Sequence, residues 1–267
     1  MSDQGRAMVL KSSEPEQTRA TAPGKRYLFA IVLAGELRNC NFPGIDGKPV
    51  ESITEGRLTA VVSGIPGEKV RPERRHLAAH QAVLKQLLAD MTPLPMSFGI
   101  LADHPDAVRK ILRRNQRMFL EQLEHVAGKV EMGLRVTWDV PNIFEYFVQT
   151  NSELRSARDR LLGGNRHPTQ EAKIELGRMF DRLLNQDRES HTEQVEQILS
   201  SACFETKASP CRNEHEVMNL ACLVSRRAQE SFGNAVFQAA QLFDNNFAFD
   251  YNGPWAPHNF VQVALAP

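Results

Sequence analysis

Two histidines, His76 and His80, are the first residues whose spacing could support chemistry, because they stand four apart in the stretch HLAAH. Two imidazoles at this spacing on one helix can bind a metal ion, as in the HExxH helix of zinc proteases. Here Leu77 occupies the position of the essential glutamate, and no third ligand is evident. His80 also shares a predicted helix face with Leu77 and Leu84. A packed or hydrogen-bonded histidine is therefore favoured over a metal ligand.

The four cysteines offer a second candidate chemistry, but their spacings match no CxxC metal or redox pair. An even number of cysteines could form disulfides. The N-terminus, however, has no apolar segment typical of a secretory signal, which favours a reducing, cytoplasmic setting. Free cysteine is among the residues most often buried, so structural thiols are favoured over a nucleophile. The cysteines are Cys40, Cys203, Cys211 and Cys222.

No other set of residues assembles a general acid, a base and a nucleophile. Ser63 and Ser97 lie near predicted turns but lack the GxSxG nucleophile motif. Gly163 and Gly164 belong neither to a phosphate-binding GxxxxGK[ST] loop nor to a dinucleotide-binding GxGxxG loop. We therefore predict no catalytic residues, no metal and no cofactor, and a protein that is not an enzyme.

Charge is balanced over the chain, with 32 basic and 32 acidic residues among 267. This balance argues against nucleic acid as a partner, because phosphate binding normally requires a basic excess. No apolar stretch approaches the roughly 20 residues that a membrane span requires. One basic stripe recurs at three- and four-residue spacing on a predicted helix; it is either a solvated face, the favoured interpretation, or a docking surface for an acidic partner segment. The stripe consists of Arg109, Lys110, Arg113, Arg114 and Arg117.

The elements that must position these residues begin after a polar N-terminal tail. Residues 1–24 are unpatterned and rich in Ser, Thr, Glu and Gln, which predicts disorder. A short apolar run from Arg26, RYLFAIVL, has the length and aromatic content of a strand. A loop dense in turn residues follows, and then a β-hairpin over residues 50–65.

A helix is predicted over residues 72–91, with Leu77 among its inward-facing residues. A buried strand, PLPMSFG, follows over residues 93–99. Asp103 is positioned to cap the next helix, which has a proline near its first position. The resulting order, β-β-β-α-β-α, predicts an N-terminal mixed α+β domain over residues 25–126.

The second half of the chain predicts a C-terminal ferredoxin-like (βαββαβ) domain over residues 127–252, with an expanded helical first crossover. Its first strand shows strict alternation of apolar residues. Its long second helical stretch is either one kinked helix or two helices. A C-terminal tail, residues 253–267, is expected to pack back on the domains. The predicted elements are a strand over 128–140, helices over 142–162 and 171–201, strands over 204–209 and 215–226, a helix over 227–243 and a strand over 246–252.

Three stretches together resemble the gas vesicle protein family GvpF/GvpL: RYLFAIV, PLPMSFGIL and FDYNGPWAPHNFV. The family's chains begin with a YLYGIV-like strand, carry a VLPxxFGT-like strand before an amphipathic helix, and close on a YxGPWPPYxFV-like segment. The resemblance spans roughly residues 26–263. Mild departures are Ala256 in place of proline, His258 in place of an aromatic residue, and Ile100 in place of threonine. The motif residues are Pro95, Phe98, Gly99, Tyr251, Gly253, Pro254, Trp255, Pro257, Phe260 and Val261.

This resemblance implies an α+β accessory or minor structural protein of the gas vesicle, located in the cytoplasm and at the vesicle. The implied partner is the small, hydrophobic major shell subunit of the GvpA type, together with other gas vesicle accessory proteins. The implied role is to bind this subunit, to prevent its aggregation and to support nucleation and assembly of the vesicle. The alternative is a purely structural lining component without chaperone activity.

The closing motif is expected to serve the structure more than the interaction. Tyr251 and Asn252 should finish the last strand, and the GPWAP sequence should turn the chain off the sheet, because proline cannot extend a paired strand. We expect the Trp255 indole to fill a core or an inter-domain seam. Phe260 and Val261 are then left to pack elsewhere, against the first domain. The opposite possibility is an exposed interaction patch.

Overall fold

The computed structural model describes the chain over residues 24–37, 40–67, 69–162 and 169–263. The predicted disordered tail, apart from Gly24, and most of the polar stretch at 163–170 lie outside the described residues, as do the last four residues. The described part contains two antiparallel sheets with helices packed against them, which confirms the predicted α+β class. None of its helices combines the length and hydrophobicity that a membrane crossing requires.

The first sheet is built around its first strand, β1 (Arg26–Leu33). All but the last residue of β1 are buried, because one helix, α1 (Arg74–Asp90), covers one face of the strand, and two helices, α2 (Pro105–Arg114) and α3 (Gln116–Val126), cover the other. A strand buried on both faces is a continuous apolar run rather than an alternating one, which explains the sequence RYLFAIVL. The strand order is β2-β3-β1-β4, with the short β5 also paired to β1. The strands are β1 (Arg26–Leu33), β2 (Val50–Glu55), β3 (Leu58–Gly64), β4 (Leu94–Pro95) and β5 (Leu101–Ala102).

Helix α1 (Arg74–Asp90) differs from the predicted helix in its start and in its buried face. It begins at Arg74, two residues after the proline that was expected in its first turn. The expectation that Leu77 faces inward is wrong, because 43% of this residue is exposed. The buried stripe follows the helical spacing from His76 through His80 to Leu84 and Leu87, and Leu77 falls beside it.

The helix expected after Asp103 is two helices, α2 (Pro105–Arg114) and α3 (Gln116–Val126), which meet at Asn115. Asp103 is not the cap. The cap is His104, whose Nδ1 accepts a hydrogen bond of 3.1 Å from the Ala107 N–H. The apolar faces of both helices pack on the first sheet.

The second sheet has the order β7-β8-β6-β9. In β6 the apolar residues Val130, Met132, Leu134, Val136 and Trp138 are all buried, which confirms the alternation seen in the sequence. The long helical stretch is one helix, α6. The elements are β6 (Lys129–Trp138), α4 (Ile143–Thr150), α5 (Ser152–Leu162), α6 (Gln170–Leu199), β7 (Glu205–Ala208), β8 (Glu216–Ser225), α7 (Gln229–Ala240) and β9 (Phe247–Trp255).

The last strand extends beyond its predicted end. β9 continues through Gly253 and Pro254 to Trp255, with an irregularity in its pairing to β6. The expectation that the GPWAP sequence turns the chain off the sheet after Asn252 is therefore wrong. Proline is tolerated here because β9 is an edge strand, where one side of the strand needs no partner. The turn comes later, at a short 3-10 helix over His258–Phe260.

Gly253 makes this extension possible. Its φ is +129°, and a Cβ built on it would lie 2.7 Å from Met132 Sδ and 2.9 Å from the Glu131 carbonyl oxygen. Since real Cβ atoms do not approach other atoms so closely, β9 can lie against β6 here only because residue 253 has no side chain.

We therefore expect Gly253→Ala to lower the free energy of unfolding by about 1–3 kcal/mol, through backbone strain and overpacking. Urea denaturation followed by circular dichroism measures this. The matched control is Gly177→Ala in α6, where nothing lies within 4 Å of the added Cβ. There we expect a gain of about 0.5–1 kcal/mol, because alanine favours the helix. Equal changes in unfolding free energy at the two glycines would contradict the claim that β9 can lie against β6 only because residue 253 has no side chain.

Candidate functional site at the C-terminal segment

The stretches that carry the family resemblance meet around the buried imidazole of His80. The Tyr27 Oη lies 2.9 Å from His80 Nδ1, and the Gly99 N–H donates a 3.2 Å hydrogen bond to the same Oη. Burial raises the pKa of Tyr27 to about 12, so its hydroxyl keeps its proton. The Tyr27 hydroxyl therefore donates this hydrogen bond to Nδ1 when the imidazole of His80 carries its proton on Nε2.

Aromatic rings enclose His80 on its other sides. Phe29 stacks on it with ring centroids 5.7 Å apart, and Phe98 meets it edge-on at 5.8 Å. The ring of His258, from the C-terminal segment, lies 6.3 Å away. Burial lowers the pKa of His80 to about 4; the repulsion of His258 adds to this, and the nearby Met96 carbonyl opposes it. The interpretation of His80 as a packed, hydrogen-bonded histidine is confirmed.

His76 has a different environment from His80. Its Nδ1 lies 2.8 Å from the Arg71 carbonyl oxygen and its Nε2 lies 3.0 Å from Asp46 Oδ1; since both partners are acceptors, both hydrogen bonds form when the ring is protonated. Both bonds raise the pKa of His76, and the bond to the carbonyl has the larger effect. The two histidines therefore do not face a common ligand. Nor do three or more His, Cys, Asp or Glu side chains group together as a metal site anywhere in the described ranges.

The closing segment (residues 251–261) connects the two sheets. Ala256 is buried in the core of the first sheet, on the face that α1 covers. Four residues later, Phe260 packs against Val126 at the end of α3 and against Ala221 and Leu223 of β8. The segment therefore contacts both sheets within a few residues, and Phe260 and its neighbour Val261 do pack in part against the first half of the chain.

A buried carboxylate fixes this segment in place. The two oxygens of Glu131 on β6 accept hydrogen bonds from the Asn259 backbone N–H, at 2.9 Å, and from Asn259 Nδ2, at 2.6 Å. Lys207 on β7 donates to the Asn259 carbonyl at 3.1 Å, and its ammonium group lies over the Phe260 ring. Burial raises the pKa of Glu131, while the bonds from Asn259 act in the opposite direction. The Glu131–Asn259 pair is thus the polar centre of the connection.

Trp255 does not fill a core or a seam. Its side chain is 42% exposed, and its Nε1–H donates to Asn252 Oδ1 at 2.8 Å within the same strand. The sequence-based expectation for Trp255 is therefore wrong. The reason is the extension of β9, which keeps the residue on the edge strand instead of releasing it into the interior.

Exposed apolar side chains lie on both faces of the β9 edge. Tyr251 is 49% exposed, and its hydroxyl lies against Gly233 of α7. Phe237 follows Gly233 by one helical turn, on the same face of α7, and is 66% exposed. Trp255 shares the opposite face of the sheet with Asn252, whose side chain approaches Gly133 of β6. We call Phe237, Tyr251 and Trp255 the apolar edge.

The predicted basic stripe is divided between two helices, and three of its residues pair with carboxylates of the same chain. Arg109 bonds to Asp106 at 2.7 Å within α2, and Arg113 bonds to Glu55 of β2 at 2.8 Å. Arg117 lies on α3 and faces Glu121 at 3.4 Å. Docking of an acidic partner on this stripe stays a prediction, and these pairs would have to open for it.

The remaining motif residues contribute to the fold around this site. Pro95 pairs with Ala30 in the first sheet, and Phe98 and Gly99 contact Tyr27. Sequence reasoning missed Glu131 and Phe237. Phe237 could have been found from its spacing, because it lies off the buried stripe of α7. No local signal marks Glu131, which meets Asn259 across 128 positions of the chain.

His80 makes the stability of the fold depend on pH. A folded-state pKa of about 4, against 6.5 for the free side chain, means that its contribution is fully present above pH 6.5 and is lost as the pH falls towards 4. We expect the wild type to lose about 2 kcal/mol more free energy of unfolding than His80→Phe between pH 7 and 4.5. His258 and His191, whose pKa values burial also lowers, are present in both proteins. If the difference in unfolding free energy between the wild type and His80→Phe is the same at pH 7 and at pH 4.5, His80 is not a buried, neutral histidine.

Loss of the Asn259 side chain should loosen the closing segment. We expect Asn259→Ala to cost about 1–3 kcal/mol of unfolding free energy near neutral pH, because a buried carboxylate loses a donor. The cost should shrink when Glu131 is protonated in acid, since the lost bond favours the charged form. Hydrogen exchange by mass spectrometry should show faster exchange in residues 256–262. Gln262→Ala is the control, because Gln262 bonds to Gln122 through its backbone N–H, which the substitution keeps. Equally fast exchange in both variants would contradict the role of the Asn259 side chain in holding the closing segment.

This chain is similar to gas vesicle proteins over most of its length. The family model described as "Gas vesicle synthesis protein GvpL/GvpF" matches residues 25–262. The chain is 30% identical to gas vesicle protein F of Streptomyces sp. (strain CB03234), over 80% of this chain and 89% of that one. It is 24% identical to gas vesicle protein L1 of Halobacterium salinarum, over 94% of this chain and 96% of that one.

Solved structures show the same fold. The crystal structure of the gas vesicle protein GvpF from Anabaena sp. PCC7120 matches with a TM-score of 0.79 and 24% identity, over 90% of this chain and 99% of that one. GvpF from Microcystis aeruginosa matches with a TM-score of 0.76 and 22% identity, over the same shares. The family model spans nearly all of the described residues, and the chain therefore belongs to the GvpL/GvpF family of gas vesicle synthesis proteins.

Proposed function

We propose that this gas vesicle protein binds the hydrophobic major shell subunit, of the GvpA type, prevents its aggregation and supports nucleation and assembly of the vesicle in the cytoplasm. The observation that carries the proposal is the apolar edge. It combines an edge strand, β9, with exposed aromatic side chains on both of its faces. Other gas vesicle accessory proteins are further partners in this proposal, and it includes no catalytic step.

The physical argument starts from the needs of such a subunit. A small hydrophobic protein exposes apolar surface and unpaired strand edges before it assembles, and both promote aggregation. An open strand can pair with one of those edges, and flanking aromatic side chains can cover the apolar surface beside it. β9 offers an edge for pairing from Phe247 to Asn252, and the side chains of Tyr251, Trp255 and Phe237 flank it. Pro254 lacks the N–H that further pairing would need.

The proposal also covers how the two halves of the chain are organised. We propose that residues 25–126 and 127–252 are separate domains and that the second is ferredoxin-like. The element order βαββαβ and the antiparallel strand order β7-β8-β6-β9 support this. In this arrangement the closing segment contacts both domains. Phe237 and Tyr251 of the apolar edge lie within the second domain, and Trp255 lies just beyond it, at the end of β9.

The experiment compares two double variants that each replace two exposed apolar side chains by serine. Phe237→Ser/Trp255→Ser removes two of the three side chains of the apolar edge, one on each face of the second sheet; they are 66% and 42% exposed. Leu77→Ser/Ile174→Ser removes two residues that are 43% and 44% exposed elsewhere. We expect the first variant to bind purified shell subunit at least about tenfold more weakly and to lose suppression of its light scattering after dilution from denaturant. The second variant should behave as the wild type.

The melting temperature of both variants should stay close to that of the wild type, because all four side chains are exposed. Equal binding by the two variants would refute the apolar edge as the binding surface. A wild-type protein that leaves the scattering unchanged, yet co-purifies stoichiometrically with washed vesicles, would replace the chaperone role by the structural lining role.

A further inference from the structure

The dipeptide Asn252–Gly253 lies near the end of the edge strand β9, and it is the only Asn-Gly pair in the sequence. Both residues are exposed. The register of β9 with β6 is regular up to Asn252 and resumes at Trp255, so Gly253 lies in the irregular part of the strand. An irregular stretch at a sheet edge opens more readily than the middle of a central strand.

The side-chain amide of Asn252 is therefore exposed to a reaction with its own backbone. Asparagine is thermolabile because the backbone nitrogen of the next residue can attack the side-chain carbonyl carbon. A glycine in the next position favours this attack, since no Cβ hinders it. Asn252 is the only asparagine of the chain that has a glycine in this position.

The indole of Trp255 restrains the same amide. Its Nε1–H donates a 2.8 Å hydrogen bond to Asn252 Oδ1. A Cβ built on Gly133 of β6 would lie 3.0 Å from this oxygen, so the amide lies over β6. For the attack, Asn252 Cγ must come within bonding distance of the Gly253 nitrogen. The side chain must rotate for this, and the bond to the indole must break.

We propose that Asn252 is a self-deamidating site, which forms a succinimide with Gly253 and becomes aspartate or isoaspartate, and that the Trp255 indole slows this reaction. The inference does not depend on the proposed function. The product adds a negative charge between Tyr251 and Trp255, two of the three side chains of the apolar edge.

The reaction consumes only water. The Gly253 nitrogen loses its proton and attacks Asn252 Cγ. The bond from Cγ to the side-chain nitrogen breaks, and this nitrogen takes up the proton and leaves as ammonia. Water then opens the five-membered ring. Cleavage of the new bond at Cγ gives aspartate, and cleavage at the backbone carbonyl carbon gives isoaspartate. Overall, one amide and one water give one carboxylic acid and one ammonia, which exchange a proton.

Two other asparagines show what the site at Asn252 lacks. Asn151 precedes a serine, and its Oδ1 accepts two backbone N–H groups at the start of α5, both at 3.0 Å. Asn259 precedes a phenylalanine, and its Nδ2 donates to the buried Glu131 at 2.6 Å. In both cases the next residue has a side chain that hinders the attack. These asparagines are internal controls.

The test ages the full-length protein at 37 °C and pH 8 in water enriched in oxygen-18, and then digests it with trypsin. Trypsin releases residues 228–267 as one peptide. Fragmentation of this peptide locates each deamidated residue and separates aspartate from isoaspartate. The labelled oxygen marks product that forms during ageing and not during digestion. We expect labelled product at Asn252 and not at the other asparagines of the peptide, which are Asn234, Asn245, Asn246 and Asn259.

Two variants test the restraint. Trp255→Phe keeps an aromatic ring and removes the N–H donor. We expect it to form the product about two- to tenfold faster than the wild type, the range that corresponds to one ordinary hydrogen bond. The matched control is Tyr251→Phe, on the other side of Asn252, whose hydroxyl lies against Gly233. It should react as the wild type does. In urea all three proteins should react at the same rate, because the restraint exists only in the folded chain.

Each part of the proposal can fail separately. Equal rates for the folded wild type and Trp255→Phe, a slower reaction in Trp255→Phe, or the same acceleration in Tyr251→Phe would overturn the restraint by the indole. A folded wild type that forms no product at Asn252, or forms it evenly over the five asparagines of the peptide, would overturn the site itself.

Discussion

The contact between Glu131 and Asn259 is the interaction on which the shape of this molecule depends. A buried carboxylate is costly unless donors surround it, and here both of its oxygens receive hydrogen bonds from a single residue of the closing segment. That residue sits between Ala256, in the core of the first sheet, and Phe260, in the contact between α3 and β8. A single polar pair thereby fixes two apolar contacts on opposite sides of it.

This arrangement separates the closing motif into parts with different environments. Ala256, His258 and Phe260 face the interior, where they connect the halves of the chain. Tyr251 and Trp255 face solvent on the edge strand. The chain leaves the edge strand after Trp255 and changes direction at the 3-10 helix. One short motif can therefore place some residues at the surface and others in the interior. The interior part serves the fold, and the exposed part is the one available to a partner.

Local patterns predicted the elements well and their environments less well. The alternation in β6 and the apolar run of β1 identified two central strands, because a strand's burial is encoded within its own few residues. The phase of α1 was misjudged at Leu77, since a leucine beside a buried stripe looks the same in sequence as one within it. Pro254 suggested a strand end, but whether proline is tolerated depends on which strand lies at the edge, and this is a property of the whole sheet.

The resemblance located the right segments, but it did not give their contacts. Glu131 meets Asn259, and His80 meets His258, across distances in the chain that no local pattern can report. The bond from Gly99 to the Tyr27 hydroxyl is of the same kind. For the candidate site, sequence therefore predicted the participating segments and several of the residues. Apart from His80, the buried or exposed state of these residues followed only from the three-dimensional structure.

The position of Ala256 in the first sheet's core has a consequence for how the chain folds. Contacts between residues far apart in sequence form late, because closing a long loop costs entropy before the contact is gained. The place of Ala256 in the core that contains Tyr27 therefore stays uncovered until β9 has paired with β6 and brought the closing segment to the first sheet. Until that moment the nascent protein has an uncovered apolar surface of its own. A protein that we propose covers the apolar surface of another subunit must therefore first cover its own. It does so with β9, the strand that carries Tyr251 and Trp255.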